Sequence, residues 1–484
     1  MSTANSSFDD CSRGELSKLV KMQAATIERL EKRIEELEAK LKAKNPTERL
    51  DSPYSQKAEE KRQEDKGTKK PKRRNPLRRG RVTTADKIKL AGRTEQVFPE
   101  DVRRADCVLS HTRVVWRLEN GKAILVAYEV YRRGNQFGRV AGVLGRSEFG
   151  IEITLALAYQ VYCLGLSIDK ACQVLSFFQQ LKLKKSQADR LLNQLAGTWE
   201  TEFESLCTIL ANSAVVHCDE TSWSINSVWA FLNEHVTVAF YGVHKDAQTL
   251  AAILDKEVFR GTLVSDDAAV YQNFNEAQKC WAHLIRKAIK LTLTSPAEPR
   301  FRQLADGLLA IYRDAKRISS DGRLRSDTKR SKVGELDERV LELCSARWFD
   351  EDKDCEGDED DYRKLCNELM RLMLDEELFV FVYRDGVDGN NNASERELRD
   401  DAMARKTGRT SKTPAGAKRR SIISSMLRSI GKQIDSFTLT GVIEEVKQWM
   451  IRGKSCFEDV AKAAARQTQP GILNRLVLQA DAPG

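Results

Sequence analysis

After Asn212 the hydrophobic period of the chain changes, and no other feature restricts the fold as strongly. "SAVVHCDETSWSI", "SVWAFLNEHVTVAFYGV" and "GTLVSDD" are β-branched and aromatic runs of strand length, separated by Asn or other polar residues. On either side the spacing is helical: residues 148 to 210 come before the strands, and a highly charged stretch from about 275 to 384 comes after them. Strands set between helical segments predict an α/β architecture.

Two acids stand where these strands should leave a core. In "AVVHCDET" the alternating apolar residues give way to Asp219, and in "GTLVSDD" a short strand runs out at Asp266 and Asp267. Acids at the ends of neighbouring strands can converge on a metal site, because hard divalent cations take oxygen ligands. A third acid on a helix packed against the sheet completes such a site, and Glu395 in "NNNASERELR" is the candidate. Two blander readings of Glu395 compete. One is a capping box with Asn392 as the N-cap and Glu395 three residues on. The other is an ion pair with Arg399, one helical turn further along.

Upstream, Leu16, Val20, Gln23, Ile27, Leu30, Ile34, Leu37 and Leu41 alternate spacings of four and three, which predicts a coiled coil over residues 1–45 and self-association through it. Residues 46–100 read as a polar, basic, disordered linker. Within it, nine of the sixteen residues from Lys66 to Arg81 are Lys or Arg and none is acidic, so Lys72, Arg73, Arg74, Arg78 and Arg79 are candidates for contact with DNA phosphates. A small β-hairpin region follows at 101–147, turning around "ENGK". In the helical region 148–210, Ser167 is expected to cap one helix and Ser186 the next. Their short basic connection, "KLKK", fits a helix-turn-helix.

Several function classes have no support. The net charge of +9 favours an anionic partner. The eleven cysteines are scattered with no CxxC pair, and no apolar leader is present, which predicts free thiols in a reducing cytoplasm. The most apolar run, "IEITLALAYQVYCLGL", is too short to span a bilayer, so no membrane partner is expected. GxxxxGK[ST], GxGxxG and GxSxG are absent, which removes ATP-driven, dinucleotide and serine-hydrolase readings. "CWAH" has half of a zinc spacing, but His217 and Cys218 cannot readily supply the rest, since strand neighbours face opposite ways. The acidic "DKDCEGDEDDYR" imitates a calcium loop, yet Arg363 stands at the twelfth position where a bidentate Glu is needed.

The order "DET", then "SDDAAVY" followed by "CWAHLIRK", then after a long insert "DGVDGNNNASERELR", resembles transposases of the insertion-sequence-66 family, a DDE type, over roughly residues 150 to 440. The resemblance implies a ribonuclease-H-like catalytic domain at 211–412 with a helical insertion at about 275–384. A coiled coil and a helical domain would precede it, and a helical tail at 413–484 would follow. It further implies Asp219, Asp266 and Glu395 as catalytic acids and metal ligands for two Mg²⁺, with Mn²⁺ as a substitute. Asp266 takes the second place because it stands five residues before Tyr271. The cysteine-rich zinc segment that many members carry has no counterpart near residues 90 to 140.

The expected activity is metal-dependent cleavage of element ends and 3′-hydroxyl strand transfer into double-stranded target DNA. The expected setting is the bacterial nucleoid, with the chain as a homo-oligomer and accessory proteins as further partners. Arg396, Arg399, Arg405, Lys406 and Arg409, on or just after the helix of Glu395, are candidates for holding phosphates nearby. The rival readings are a catalytically inactive DNA-binding protein derived from a transposase, and a structure-selective nuclease of the same fold.

Overall fold

The computed structural model describes residues 83–345 and 357–464. The expected coiled coil at 1–45, the basic run containing Lys72, Arg73, Arg74, Arg78 and Arg79, and the first part of the acidic loop from Asp352 lie outside the described residues.

The expected linker does not extend to residue 100. The Thr83 hydroxyl accepts the Asp86 amide while the Asp86 carboxylate accepts the Thr83 amide, and this reciprocal cap starts α1 (Thr84–Lys89). β1 (Arg93–Val97) follows. β2 (Val108–Glu119) and β3 (Lys122–Arg133) form an antiparallel hairpin that turns at Asn120 and Gly121, both at positive φ. β1 pairs parallel with β3, and the short β4 (Gln136–Phe137) adds to the same sheet.

Four helices come next: α2 (Ile151–Tyr162), α3 (Ile168–Gln179), α4 (Lys185–Thr198) and α5 (Glu200–Ala211). Ser167 caps α3, its hydroxyl accepting the Lys170 amide at 3.2 Å. Ser186 does not cap α4. The Gln187 carboxamide accepts the Lys184 amide at 3.1 Å, so the helix starts two residues earlier and Ser186 falls in its first turn.

The second sheet contains β5 (Val215–Ser222), β6 (Ser227–Leu232), β7 (Thr237–Val243), β8 (Thr262–Ser265) and β9 (Ala277–Lys279), with α6 (Ala247–Ile253) between β7 and β8. Its order is β7-β6-β5-β8-β9. The first three strands form an antiparallel meander, whereas β8 and β9 run parallel to β5. Alternation divides the faces. Val216, Cys218, Trp229, Phe231, Val238 and Phe240 join a core built with residues of α2, α4 and α5. Val228, Ala230, Ala239 and Tyr241 line the other face.

A helical layer follows β9: α7 (Trp281–Thr294), α8 (Pro299–Ser320), α9 (Ser326–Cys344), α10 (Asp358–Leu374) and α11 (Val380–Tyr383). These helices share a core of their own around Trp281, Leu308, Val340 and Leu369. The chain then returns over the second face of the sheet as α12 (Asn392–Lys406), where Leu398 and Ala404 pack on Ala230 and Ala239. Small residues on the strands permit that close approach. α13 (Pro414–Gln433), α14 (Leu439–Arg452) and α15 (Cys456–Ala464) complete the described residues.

α13 closes the edge of the sheet. The outward amides of Thr237, Ala239 and Tyr241 on β7 donate to the hydroxyls of Ser429, Ser425 and Ser421 at 3.0, 2.8 and 3.0 Å. Each serine is buried, so these contacts satisfy edge amides that would otherwise be unpaired. Gly242, at φ +79°, lets the helix approach, since a Cβ there would come within 2.9 Å of Ala417 Cβ. This helix belongs to the core with Ile422, Ile423, Met426 and Ile430, although the sequence suggested a boundary just before it.

Candidate active site

Strand register brings the first two acids side by side. β5 and β8 pair in parallel with Val215 opposite Thr262 and His217 opposite Val264. Two residues further on, the same register sets Asp219 level with Asp266, at the carboxyl end of β8. Asp219 is also the cross-strand partner of Ala230, and cross-strand partners share a face. That face is the one covered by α12, whose first turn carries Glu395.

The start of α12 is fixed by Asn391, not by the expected capping box. Asn391, rather than Asn392, is the N-cap residue, and Glu395 falls in the fourth helical position. The Asn391 side chain is turned away from its own helix. Its Nδ2 donates to the Cys218 carbonyl at 2.7 Å, and its Oδ1 lies 3.4 Å from His217 Nδ1. Its backbone amide donates to Cys280 Sγ at 3.1 Å. One residue therefore ties the helix of Glu395 to the strand of Asp219 and to the start of α7. The sequence signal was present in the Asn run, but its partners are more than a hundred residues away.

Asp219 feels all of its acidic neighbours. Burial first, then the charges of Glu220, Asp266 and Glu395, push its carboxyl up to about 7, offset only by the Glu220 amide donating to Asp219 Oδ1 at 2.9 Å. Glu220 is the acid that sequence reasoning passed over in "DET". Its carboxylate is held by the Lys245 ammonium and the Tyr271 hydroxyl. Asp266 Oδ1 accepts the Ala268 amide at 3.1 Å, which shapes the turn after β8. Asp267 behaves differently, pairing with Arg371 at 2.5 Å.

A cleft of about 230 Å³ opens beside Asp266 and is lined by Lys279, Cys280, His283 and Lys287. Lys279 is buried there, donating to the Tyr271 carbonyl at 3.2 Å, and burial pushes its ammonium down. Glu395 does not pair with Arg399. Its carboxylate lies 3.0 Å from Arg286 Nη2 and 3.6 Å from His283 Nε2, both on α7.

The basic candidates separate into two kinds. Arg396, Arg399 and Lys406 are exposed on α12. Arg405 donates to the Ser222 carbonyl at 3.1 Å and tethers the far end of α12 to β5, while the exposed Arg409 reaches the Gly165 carbonyl at 3.3 Å. The zinc pairing of His217 with Cys218 does not form. Cys218 faces the apolar core beside the Tyr271 hydroxyl, whereas His217 faces Asn391. Residues from Asp358 onward are helical, and Arg363 pairs with Asp360 at 2.9 Å.

These described residues define an α/β protein with one carboxylate within β5, a second just past the end of the parallel strand β8 beside it, and an acid-bearing helix facing them. The chain belongs to the transposase IS66 family, whose family model matches residues 146–419. Membership places it among transposases, DNA-processing enzymes that bind DNA. No curated protein matches the chain. Among the described residues, no helix is long and apolar enough to cross a membrane.

Proposed function

We propose that the chain is a DDE transposase in which Asp219, Asp266 and Glu395 carry metal-dependent cleavage of element ends and 3′-hydroxyl strand transfer into double-stranded DNA. The observation that carries this reading is geometric: the parallel register of β5 and β8 has Asp219 level with Asp266 on the sheet face that the helix of Glu395 covers, and burial, followed by the charges of Glu220, Asp266 and Glu395, pushes the Asp219 carboxyl up. A ribonuclease-H-like description is supported by the antiparallel meander β7-β6-β5 continued by the parallel β8 and β9, with the helical layer inserted between Asp266 and Glu395.

The donor set is all oxygen, which fits Mg²⁺ or Mn²⁺. Held by Asp219, Asp266 and Glu395, two such ions would activate the attacking water or 3′-hydroxyl and stabilise the leaving oxygen. The chain's own residues do the rest. Asn391 orients Glu395 toward β5 through its bond to the Cys218 carbonyl. Arg396, Arg399 and Lys406, exposed on the same helix, would hold DNA phosphates nearby. Lys72, Arg73, Arg74, Arg78 and Arg79 would add contacts along the duplex, and residues 1–45 would join copies of the chain so that two ends are held together.

The test is cleavage and strand joining on labelled duplexes carrying the flanking element ends, with Mg²⁺, comparing the native chain with Glu395→Gln. Loss of both steps in the variant with DNA binding retained is the expected result. Equal activity in the two proteins would remove Glu395 from the chemistry. Binding without cleavage by the native chain would favour an inactive DNA-binding descendant, and cleavage without joining a nuclease.

A further inference from the structure

Cys280 and His283 line the cleft, and Glu395 approaches both of them from α12. Cys280 is the N-cap residue of α7 and His283 stands three residues later in its first turn, so helical spacing turns the sulfur and the imidazole to the same side. One ligand atom from each, with one carboxylate oxygen of Glu395, all lie within 4.8 Å of one another. His283 Nδ1 is sealed from solvent and has no hydrogen-bond partner, while Nε2 lies 3.6 Å from Glu395 Oε1. Cys280 Sγ accepts the Asn391 amide at 3.1 Å, the kind of N–H contact that stabilises a metal-bound thiolate.

Sulfur, imidazole nitrogen and one carboxylate oxygen are a set that Mg²⁺ does not favour and that Zn²⁺ and Co²⁺ do. With bonds of about 2.0–2.3 Å, tetrahedral ligands sit roughly 3.3–3.8 Å apart. Small rotations of His283 and Glu395, whose side chains are 34% and 29% exposed, close the remaining gap. Arg286, 3.0 Å from Glu395, now supplies positive charge at this position, and its 54% exposed arm can swing into solvent.

We propose that Cys280, His283 and Glu395 form a site for one thiophilic divalent cation, Zn²⁺ in the first instance, and that occupancy withdraws Glu395 from Asp219 and Asp266 and so arrests DNA cleavage. Water fills the fourth position. The Cys280 proton passes to solvent as the metal–sulfur bond forms, so charge and atoms balance without an oxidant or reductant. The binding half stands on the cluster alone, whereas the arrest rests on the reading of Glu395 under Proposed function.

The full-length protein is titrated with Co²⁺ as a spectroscopic probe. The expected result is a thiolate-to-cobalt charge-transfer band saturating at one equivalent, absent in Cys280→Ser and at least tenfold weaker in affinity in His283→Ala. The second variant guards against misfolding of the first, because its ring is partly exposed. An unchanged band and affinity in both variants would overturn the site. The ratio of cleavage rates with and without Zn²⁺, at fixed Mg²⁺, is then compared between the native chain and His283→Ala. Suppression in the native chain alone supports the arrest, and equal suppression in both overturns it. A native chain that binds Co²⁺ as expected but never cleaves DNA would count against the functional reading and not against the metal site.

Discussion

Asp219 and Asp401 are both withdrawn from solvent near α12, and their surroundings are opposite. Asp401, only 1% exposed, accepts the Tyr241 hydroxyl at 2.9 Å and lies 3.0 Å from Arg428 and 3.5 Å from Arg420. Arg420 is itself stacked over Trp223 and Tyr241, with ring centroids 5.1 Å away. Asp219 has a single backbone amide and three carboxylate neighbours. A buried acid with its full complement of donors fixes a helix to a sheet. One that is short of donors and surrounded by like charge holds its proton more tightly and leaves its carboxylate form uncompensated.

The strongest way to break this contrast is to remove Asp401. Asp401→Ala leaves the buried Arg420 without its acid and Arg428 with only Glu397, 3.8 Å away, and a loss of about 3–5 kcal/mol in denaturant unfolding is expected. A loss below about 1 kcal/mol would mean that the two guanidiniums find solvent. Glu395→Gln tests the other side. Cleavage should fall by about 10²–10³-fold, the usual cost of deleting a charged group that stabilises a transition state. Unfolding of the same variant should move by less than about 0.5 kcal/mol, because its partner Arg286 is half exposed.

The third prediction concerns pH. Asp219 titrates higher when folded, near 7, than its ordinary value of 3.8, so the folded state holds its proton more tightly. Its contribution favours folding below pH about 4 and is lost as pH rises through about 7. Stability without divalent metal should therefore decline over that window by at most about 4 kcal/mol, and Asp219→Asn should flatten the decline. A slope that is identical in the native chain and the variant would assign the effect elsewhere. Smallest is the serine edge: Ser425→Ala strands the Ala239 amide, and about 1–2 kcal/mol should be lost in thermal or urea unfolding.

The strands of the second sheet, the separate helical layer and the Ser167 cap were legible because each depends on residues close together in sequence. Alternation carried Asp266 past the end of β8, but it ended β5 too early: the strand does not emerge at Asp219, because Glu220, Thr221 and Ser222 go on pairing with β6. What escaped depends on distant partners. Asn392 reads as the obvious N-cap, but Asn391 takes that place because its side chain is claimed by β5. Glu395 has Arg399 at ideal helical spacing, yet Arg286 from another helix outcompetes it. The reciprocal cap of Thr83 and Asp86 was local and readable, and the surrounding charge obscured it.

The clasp of α13 on β7 also sets a limit on its own length. Four helical residues advance about 6.0 Å and two strand residues about 6.8 Å, so helix and strand slip past one another by roughly 0.8 Å per rung, like the two scales of a vernier. The central rung, Ser425 to Ala239, is the shortest at 2.8 Å, with 3.0 Å on either side. A rung beyond either end would be out by about 1.6 Å, more than a hydrogen bond tolerates. Three serines are therefore the natural maximum for such a clasp, and lengthening β7 would leave new amides that no further serine on a straight helix could reach.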